Sequence, residues 1–402
     1  MIPRKLEHDY YMLCGIDRRL EKFENMFTLP RGISYNSYFL DDEKTAVLDS
    51  IDQAVAEEFM EALDLLLAGR QLDILVCNHA EPDHGATLVR MMEKYPECRL
   101  YTSKLCYQFL CQFYPVMTNF AERVVEVDEG EGFNTGKHEI TFIKAPNVHW
   151  PEVTVCFDKS TGYLFSADAF GSFAAPDGYI FSDQVNFAAD WLSEYRRYYT
   201  NIVGRHGASV SKLLEKIDNI EVKCICPLHG MLFRKAEDIA MIIDKYKHWS
   251  TYTAEEAGTT IIYGSLYDNS ARMADVLAAY LAQEETGAIR VYDVSKTNVS
   301  ELIADLFRFS NAVFICNNYN TELYPPMDAL LRELMMLNWD NHKYSLIGSK
   351  SWGGRGVKIA QEILSRAKNL QEIGESFTIT SSLKEEDLGK VQELAKAIKD
   401  SM

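Results

Sequence analysis

Residues 79–84 read His-Ala-Glu-Pro-Asp-His, which sets four ligand-type side chains, His79, Glu81, Asp83 and His84, in six consecutive positions. Imidazole nitrogens and carboxylate oxygens are the donors that hold first-row metal ions. A lone His or Asp after a strand is more often a turn residue or a helix cap, but caps do not account for four together. The apolar run "DILVC" stops just before the motif and a helical pattern starts at Gly85. The donors therefore belong to a strand-to-helix loop, where side chains from a rigid scaffold can converge.

Three other places share that layout. "ITFIKAPNVHWPE" carries His149, "GYLFSAD" ends in Asp168, and "VKCICPLHG" carries His229. The seven residues offer four imidazoles and three carboxylates. A tetrahedral zinc takes four ligands, so the set exceeds one such ion and suits two metals bridged by a carboxylate.

The elements that must position these donors follow from the hydrophobic pattern. From Tyr10 to about Pro227, β-branched and aromatic runs bounded by turn residues predict strands: "YNSYFL", "TAVLD", "DILVC", "RVVEV", "EITFIKA", "VTVCFD", "YLFSAD" and "VKCICP". Amphipathic helices, "DQAVAEEFMEALDLLLAG" and "GATLVRMMEKY", lie between them. Strands with helices between and outside them predict a layered α/β sandwich. A further helix, roughly Lys235 to Trp249, leads into the polar joint "YKHWSTYTAEEAG". Thereafter "TTIIYGS", "AIRVYDV", "NAVFICN", "YSLIGS" and "SFTIT" alternate with helical patterns, as in a doubly wound parallel sheet. In the last helix Val391, Leu394, Ala395 and Ile398 share a face. The expected division is residues 1–250 and 251–402.

Composition narrows the function classes. A chain of 402 residues exceeds one comfortable core, which agrees with two domains. A formal net charge of −18 argues against nonspecific binding to nucleic acid or an anionic membrane. No apolar run reaches the length of a membrane span, and charges precede any apolar stretch at the N-terminus. Nine cysteines without framework spacing fit reduced thiols, so a cytoplasmic location is expected. The Cys-x-Cys of "VKCICP" reads as two small core residues.

The loop resembles the His-x-His-x-Asp-His signature of the metallo-β-lactamase fold, an αββα sandwich, with Glu81 at the second His position. A hard carboxylate oxygen in place of an imidazole favours iron over zinc. With the later His149, Asp168 and His229 and the doubly wound domain, almost the whole chain is similar to the flavodiiron proteins. That resemblance implies a metallo-β-lactamase-like domain followed by a flavodoxin-like one. It also implies two iron ions, with His79, Glu81 and His149 on one, Asp83, His84 and His229 on the other, and Asp168 bridging. No catalytic residue beyond the metal ligands is expected.

The second domain is expected to bind FMN. "SLYDNSARMA" resembles the flavodoxin phosphate loop, which points to Ser265, Tyr267, Asn269 and Ser270, with Asp268 where Gly is usual and its charge turned away from the phosphate. "CNNYNTELYPP" keeps Tyr319 and Asn320 of the second flavin loop. "GSKSWGGRG" keeps Gly348, Ser349, Trp352 and Gly354 of the third, with Gly353 between them.

The family resemblance implies an oxidoreductase that reduces dioxygen to water, with reduction of nitric oxide to nitrous oxide as the second possibility. Electrons would come through FMN from a donor such as rubredoxin or a reduced deazaflavin. No Cys-x-x-Cys pairs follow the second domain, so a separate donor is expected. A head-to-tail homodimer, or a dimer of dimers, would bring the FMN of one chain to the irons of another. Upstream, Asn25 and Phe27 stand where the family commonly has His and Tyr, and both are expected near the open face of the diiron pocket. The competing classes are a zinc hydrolase of the same fold and a pure electron carrier.

Overall fold

The computed structural model describes all 402 residues, which cluster into two units. One comprises Met1–Tyr199 and Ala208–Tyr246, the other Thr200–Gly207 and Lys247–Met402.

The first unit is built on two sheets. A seven-stranded sheet runs in the order Arg4–Lys5, Tyr10–Asp17, Ile33–Leu40, Ala46–Leu48, Ile74–Cys77, Arg99–Thr102 and Val124–Glu126. A five-stranded sheet follows the order Gly132–Asn134, Glu139–Lys144, Thr154–Asp158, Tyr163–Phe165 and Cys224–Cys226. Every position of Ile33–Leu40 is buried, as a strand covered on both faces requires. The sheets meet through aromatic packing: Phe165 lies 5.1 Å from both Tyr10 and Tyr38 between ring centroids. On the helix Ala56–Leu67, Phe59, Met60, Leu63 and Leu67 are buried, the stripe expected of an amphipathic helix.

Strand direction decides where the donors emerge. Tyr163–Phe165 and Cys224–Cys226 pair in parallel, so their C-terminal ends lie side by side and deliver Asp168 and His229 to one rim. The expected helix from Gly85 is instead two pieces, Pro82–Gly85 and Leu88–Lys94. Pro82 at the first helical position starts a single turn early, which carries Asp83 and His84 on a helical turn instead of a loop. The eight-residue strand Tyr10–Asp17 is an addition to the strands read from the sequence.

The second unit is the doubly wound sheet. Parallel strands run in the order Ala288–Asp293, Glu256–Tyr263, Phe309–Tyr319 and Lys343–Lys350, with Gln371–Glu372 and Phe377–Thr380 both pairing with the last. Alternate residues of each strand feed opposite cores. Ile261, Val313 and Ile315 pack with the helices Asn269–Gln283 and Leu388–Asp400. Ile262, Ala312 and Phe314 pack with Val299–Arg308, Pro325–Met336 and Gly356–Leu364. No helix is long and apolar enough to cross a membrane.

Trp339 anchors the second of these cores. It is fully buried, donates from Nε1 to the Leu306 carbonyl at 2.8 Å and stacks on His342 at 4.9 Å. Replacing Trp339 with Ala is expected to cost about 3–5 kcal/mol. Urea denaturation followed by circular dichroism checks this, and a midpoint equal to the parent's contradicts it.

Candidate metal centre and flavin pocket

The structure brings all seven expected donors together and buries them. His79, Glu81, His149 and Asp168 form one group, and Asp83, His84 and His229 a second; within each, the ligand atoms lie within 4.8 Å of one another. Asp168 divides its carboxylate between them. Its Oδ2 lies 3.1 Å from His149 Nε2 and 3.4 Å from His79 Nε2, while its Oδ1 lies 3.2 Å from His84 Nε2 and 3.5 Å from His229 Nε2. Glu81 Oε2 sits 3.1 Å from His79 Nε2 and 3.0 Å from His149 Nε2. Asp83 Oδ2 is 3.4 Å from both His84 and His229. Each group thus offers two imidazoles and one carboxylate of its own, plus one oxygen of Asp168, the 2-His-1-carboxylate chemistry that suits non-haem iron.

Two outer ring nitrogens are tied down. His79 Nδ1 donates to Glu152 Oε1 at 2.8 Å, and His229 Nδ1 donates to the Ser34 carbonyl at 2.8 Å. Either bond orients its ring so that Nε2 faces the cluster. Gly230, at φ +78°, holds the chain after His229 where an added Cβ would stand 2.2 Å from Ser172 Oγ. On the loop side, Asp49 accepts from Asn78 N at 2.6 Å and Nδ2 at 2.7 Å, which fixes the residue before His79.

The decisive test of fit is what is left unpaired. Both oxygens of Asp83, and Asp168 Oδ1, are buried without a hydrogen-bond donor. A buried carboxylate oxygen without a partner is costly, and these belong to the Asp83, His84 and His229 side, where a cation resolves it. Burial works against charge on Asp168 and Glu81. Even so, the surrounding imidazoles hold the carboxyls of Asp168 and Glu81 below the usual carboxylate range. Conversely, burial pushes the His84 and His149 imidazoles down, but neighbouring carboxylates outweigh it and raise both to about 9.

In the second unit a pocket opens at the C-terminal ends of the parallel strands. Of the expected flavin residues, Ser265, Tyr267, Asn269, Ser270, Asn320, Ser349, Trp352 and Gly353 line it. Tyr319 and Gly354 do not. Tyr319 is half exposed, and a Cβ at Gly354 would stand 2.3 Å from the Asn318 side chain, so Gly354 serves close packing beneath the loop. Asp268 adopts φ +63°, makes no capping hydrogen bond and is absent from the lining. Ser265 Oγ and both polar atoms of the Asn317 side chain are buried without partners, which suits a polar ligand.

Residues 33–230 match the model of the ODP family beta lactamase. The rubredoxin oxygen:oxidoreductase of Desulfovibrio gigas superposes with a TM-score of 0.90, at 23% identity over 99% of this chain and 98% of that one. The flavodiiron protein of Giardia intestinalis does so with a TM-score of 0.90, at 23% identity over 99% and 97%. The chain has the flavodiiron fold. An anaerobic nitric oxide reductase flavorubredoxin of Vibrio vulnificus is 29% identical over 335 residues, and one of Aeromonas salmonicida 28% over 365. These matches cover 82% and 88% of this chain. The chain spans about two thirds (66%) of the length of these curated relatives.

The structure also shows what surrounds the two departures from the family pattern. Asn25 is exposed at the tip of the hairpin Lys22–Thr28, and Phe27 is buried with its ring 6.0 Å from Phe173. Glu24 is the residue whose carboxyl reaches Glu81. Partial enclosure and then the Glu81 charge push Glu24 up to about 7. Sequence reasoning also missed Tyr198, whose ring lies 5.4 Å from that of His229 and whose buried hydroxyl has no partner. Nothing local marks Tyr198. Glu152, also missed, stands three residues after His149 in the quoted segment, which is a weak signal.

Two outcomes follow for the metal centre. Glu152→Ala removes the acceptor that orients His79 and is expected to weaken metal binding about 10–100-fold, measured by competition with a chelating dye; unchanged affinity would remove Glu152 from the design. Because His84 and His149 hold protons up to about 9 in the metal-free protein, an incoming cation must displace them. Apparent affinity should therefore rise with pH from 7 towards 9. Calorimetric titration with Zn²⁺ in buffers of different ionisation heat should show proton release at pH 7, and release of none contradicts it.

Proposed function

We propose that the chain is a flavodiiron reductase, an oxidoreductase that reduces dioxygen to water, using electrons that enter through FMN. The observation that carries the proposal is the division of Asp168 between two buried two-histidine, one-carboxylate groups. A hydrolytic zinc site of this fold has an imidazole where Glu81 stands, and the oxygen-rich set favours iron. Residues 1–250 form the diiron domain and 251–402 the FMN domain. Bound there, the two irons would supply one electron each and the reduced flavin two, which together match the four electrons of dioxygen reduction.

The chain's own residues define the rest. His79, Glu81 and His149 would hold one ion and Asp83, His84 and His229 the other, with an oxygen of Asp168 available to each. Phe23, Phe173 and Tyr198 wall the His229 side with rings, which excludes water from that face. Burial, and then the charges of Asp168, Glu81 and Asp83, push the Tyr198 hydroxyl well above the ordinary phenol range. Tyr198 therefore keeps its proton and donates a hydrogen bond to a substrate oxygen. At the mouth, Glu24 places a carboxyl that can take or give a proton near neutrality.

Ser265, Asn269 and Ser270 line the pocket at the N-terminus of the helix Asn269–Gln283 and would hold the FMN phosphate. Ser349, Trp352 and Gly353 take the ring side. An external donor such as rubredoxin or a reduced deazaflavin supplies electrons, and a head-to-tail homodimer brings the FMN of one chain to the irons of another.

The sequence relatives favour a second reading, because those at 28–29% identity are named anaerobic nitric oxide reductases. Anaerobic single turnover separates the two. Photoreduced protein with quantified iron and flavin is mixed with dioxygen or with nitric oxide. Rapid flavin reoxidation by dioxygen with about four electrons consumed supports the first reading. Consumption of nitric oxide alone, with nitrous oxide formed, supports the second. Consumption of neither, with zinc in the site, returns the hydrolase. Under the preferred gas, Tyr198→Phe should slow turnover about a hundredfold at unchanged metal content.

A further inference from the structure

Of the residues that line the pocket in the second unit, one is charged. Serines, asparagines, a threonine, glycine, Leu266, Tyr267 and Trp352 make up the rest, and Lys350 stands among them with no carboxylate on the same wall. In a chain of net charge −18, an isolated cation at a neutral pocket is a specific electrostatic feature.

The sheet fixes which end of the pocket it serves. Lys350 ends the strand Lys343–Lys350, which is separated from Glu256–Tyr263, the strand that feeds the Ser265–Ser270 loop, by the strand Phe309–Tyr319. Two strand spacings amount to roughly 9.5 Å. The loop at the helix N-terminus meets a phosphate with hydroxyls, amide groups and backbone N–H dipoles and has no need of the lysine. Trp352, two residues after Lys350, leaves 75% of its surface free, and Tyr267 leaves 86%. These open aromatic faces suit a planar ring beside Lys350. Hydrogen bonds from Ser381 N to the Lys350 carbonyl at 3.0 Å and between Ser351 Oγ and Ser381 Oγ at 2.9 Å hold that loop in place.

Resting on the FMN reading of this pocket, the geometry points to Lys350 as the residue that tunes the reduction potential of the bound flavin. Oxidised flavin that takes up two electrons and one proton gains one negative charge on its ring, as does flavin that takes up one electron and no proton. The Lys350 ammonium favours both reduced forms over the oxidised one. It holds no reacting atom and is a positioning charge.

The test is a spectroelectrochemical titration of the full chain loaded with FMN, compared with Lys350→Gln and Lys350→Arg. Parent protein and Lys350→Arg are expected to accumulate the red anionic semiquinone. Lys350→Gln should lose stabilisation of the one-electron-reduced form about tenfold, equivalent to about 59 mV, with affinity for oxidised FMN changed less than about threefold. Equal potentials in FMN-loaded parent and Lys350→Gln overturn the inference alone. A large loss of oxidised-FMN affinity without a potential shift also overturns it and assigns Lys350 to the phosphate. If the parent chain binds no FMN in a fluorescence-quenching titration, the cofactor reading falls and the inference falls with it.

Discussion

Both oxygens of Asp83, and Asp168 Oδ1, sit buried inside the first unit with only the Nε2 atoms of His84 and His229 facing them, at 3.2–3.5 Å. The cost of burying such groups without compensation runs to several kcal/mol each, so a fold that keeps them must supply positive charge at that point. The surrounding chain is arranged around this constraint. Imidazoles from a helical turn, a loop and two strand ends are aimed at the orphaned oxygens. The outer nitrogens of His79 and His229 are fixed by Glu152 and the Ser34 carbonyl, and the loop that starts the cluster is clamped by Asp49. Without metal, His79, His84 and His149 hold protons more tightly than a free imidazole and act as the counter-charge themselves.

The sheet topology explains how residues from position 79 to 229 reach one point. Parallel pairing of Tyr163–Phe165 with Cys224–Cys226 sets two donor-bearing ends abreast. Asn78 joins the two sheets, since its carbonyl accepts from Thr154 N at 3.0 Å and its side-chain oxygen from Thr154 Oγ1 at 3.1 Å. The second unit uses the same logic once more, with the pocket at the carboxyl edge of a parallel sheet and its phosphate loop opening a helix.

Much of this was legible in the chain because it is local. Four donors in six positions, the strands that precede Asp168 and His229, and the alternation of strand and helix after Ser250 are short-range patterns. What escaped depends on contacts distant in sequence. Glu152 meets His79 across 73 residues, and Tyr198 meets His229 through packing alone. Glu24, beside Asn25, was not legible because its reach to Glu81 depends on the turn it occupies. Glu24 and Asn25 have φ of 48° and 56°, the central pair of a left-handed turn closed by Met26 N donating to the Phe23 carbonyl at 3.0 Å. Tyr319 and Gly354 fit the family pattern by identity while the pocket wall passes beside them, through Asn318, Thr321 and Lys350.

That hairpin has a consequence of a different kind. The donors occupy positions with almost no freedom, each buried and several held by a second bond, so a change at any of them propagates. Glu24 stands on an exposed turn, anchored at its base by the buried Phe23 and Phe27. Mutation can therefore sample new chemistry at the entrance while the inner cluster stays intact. Lineages that share this scaffold are free to diverge in what they admit long before they diverge in what they hold.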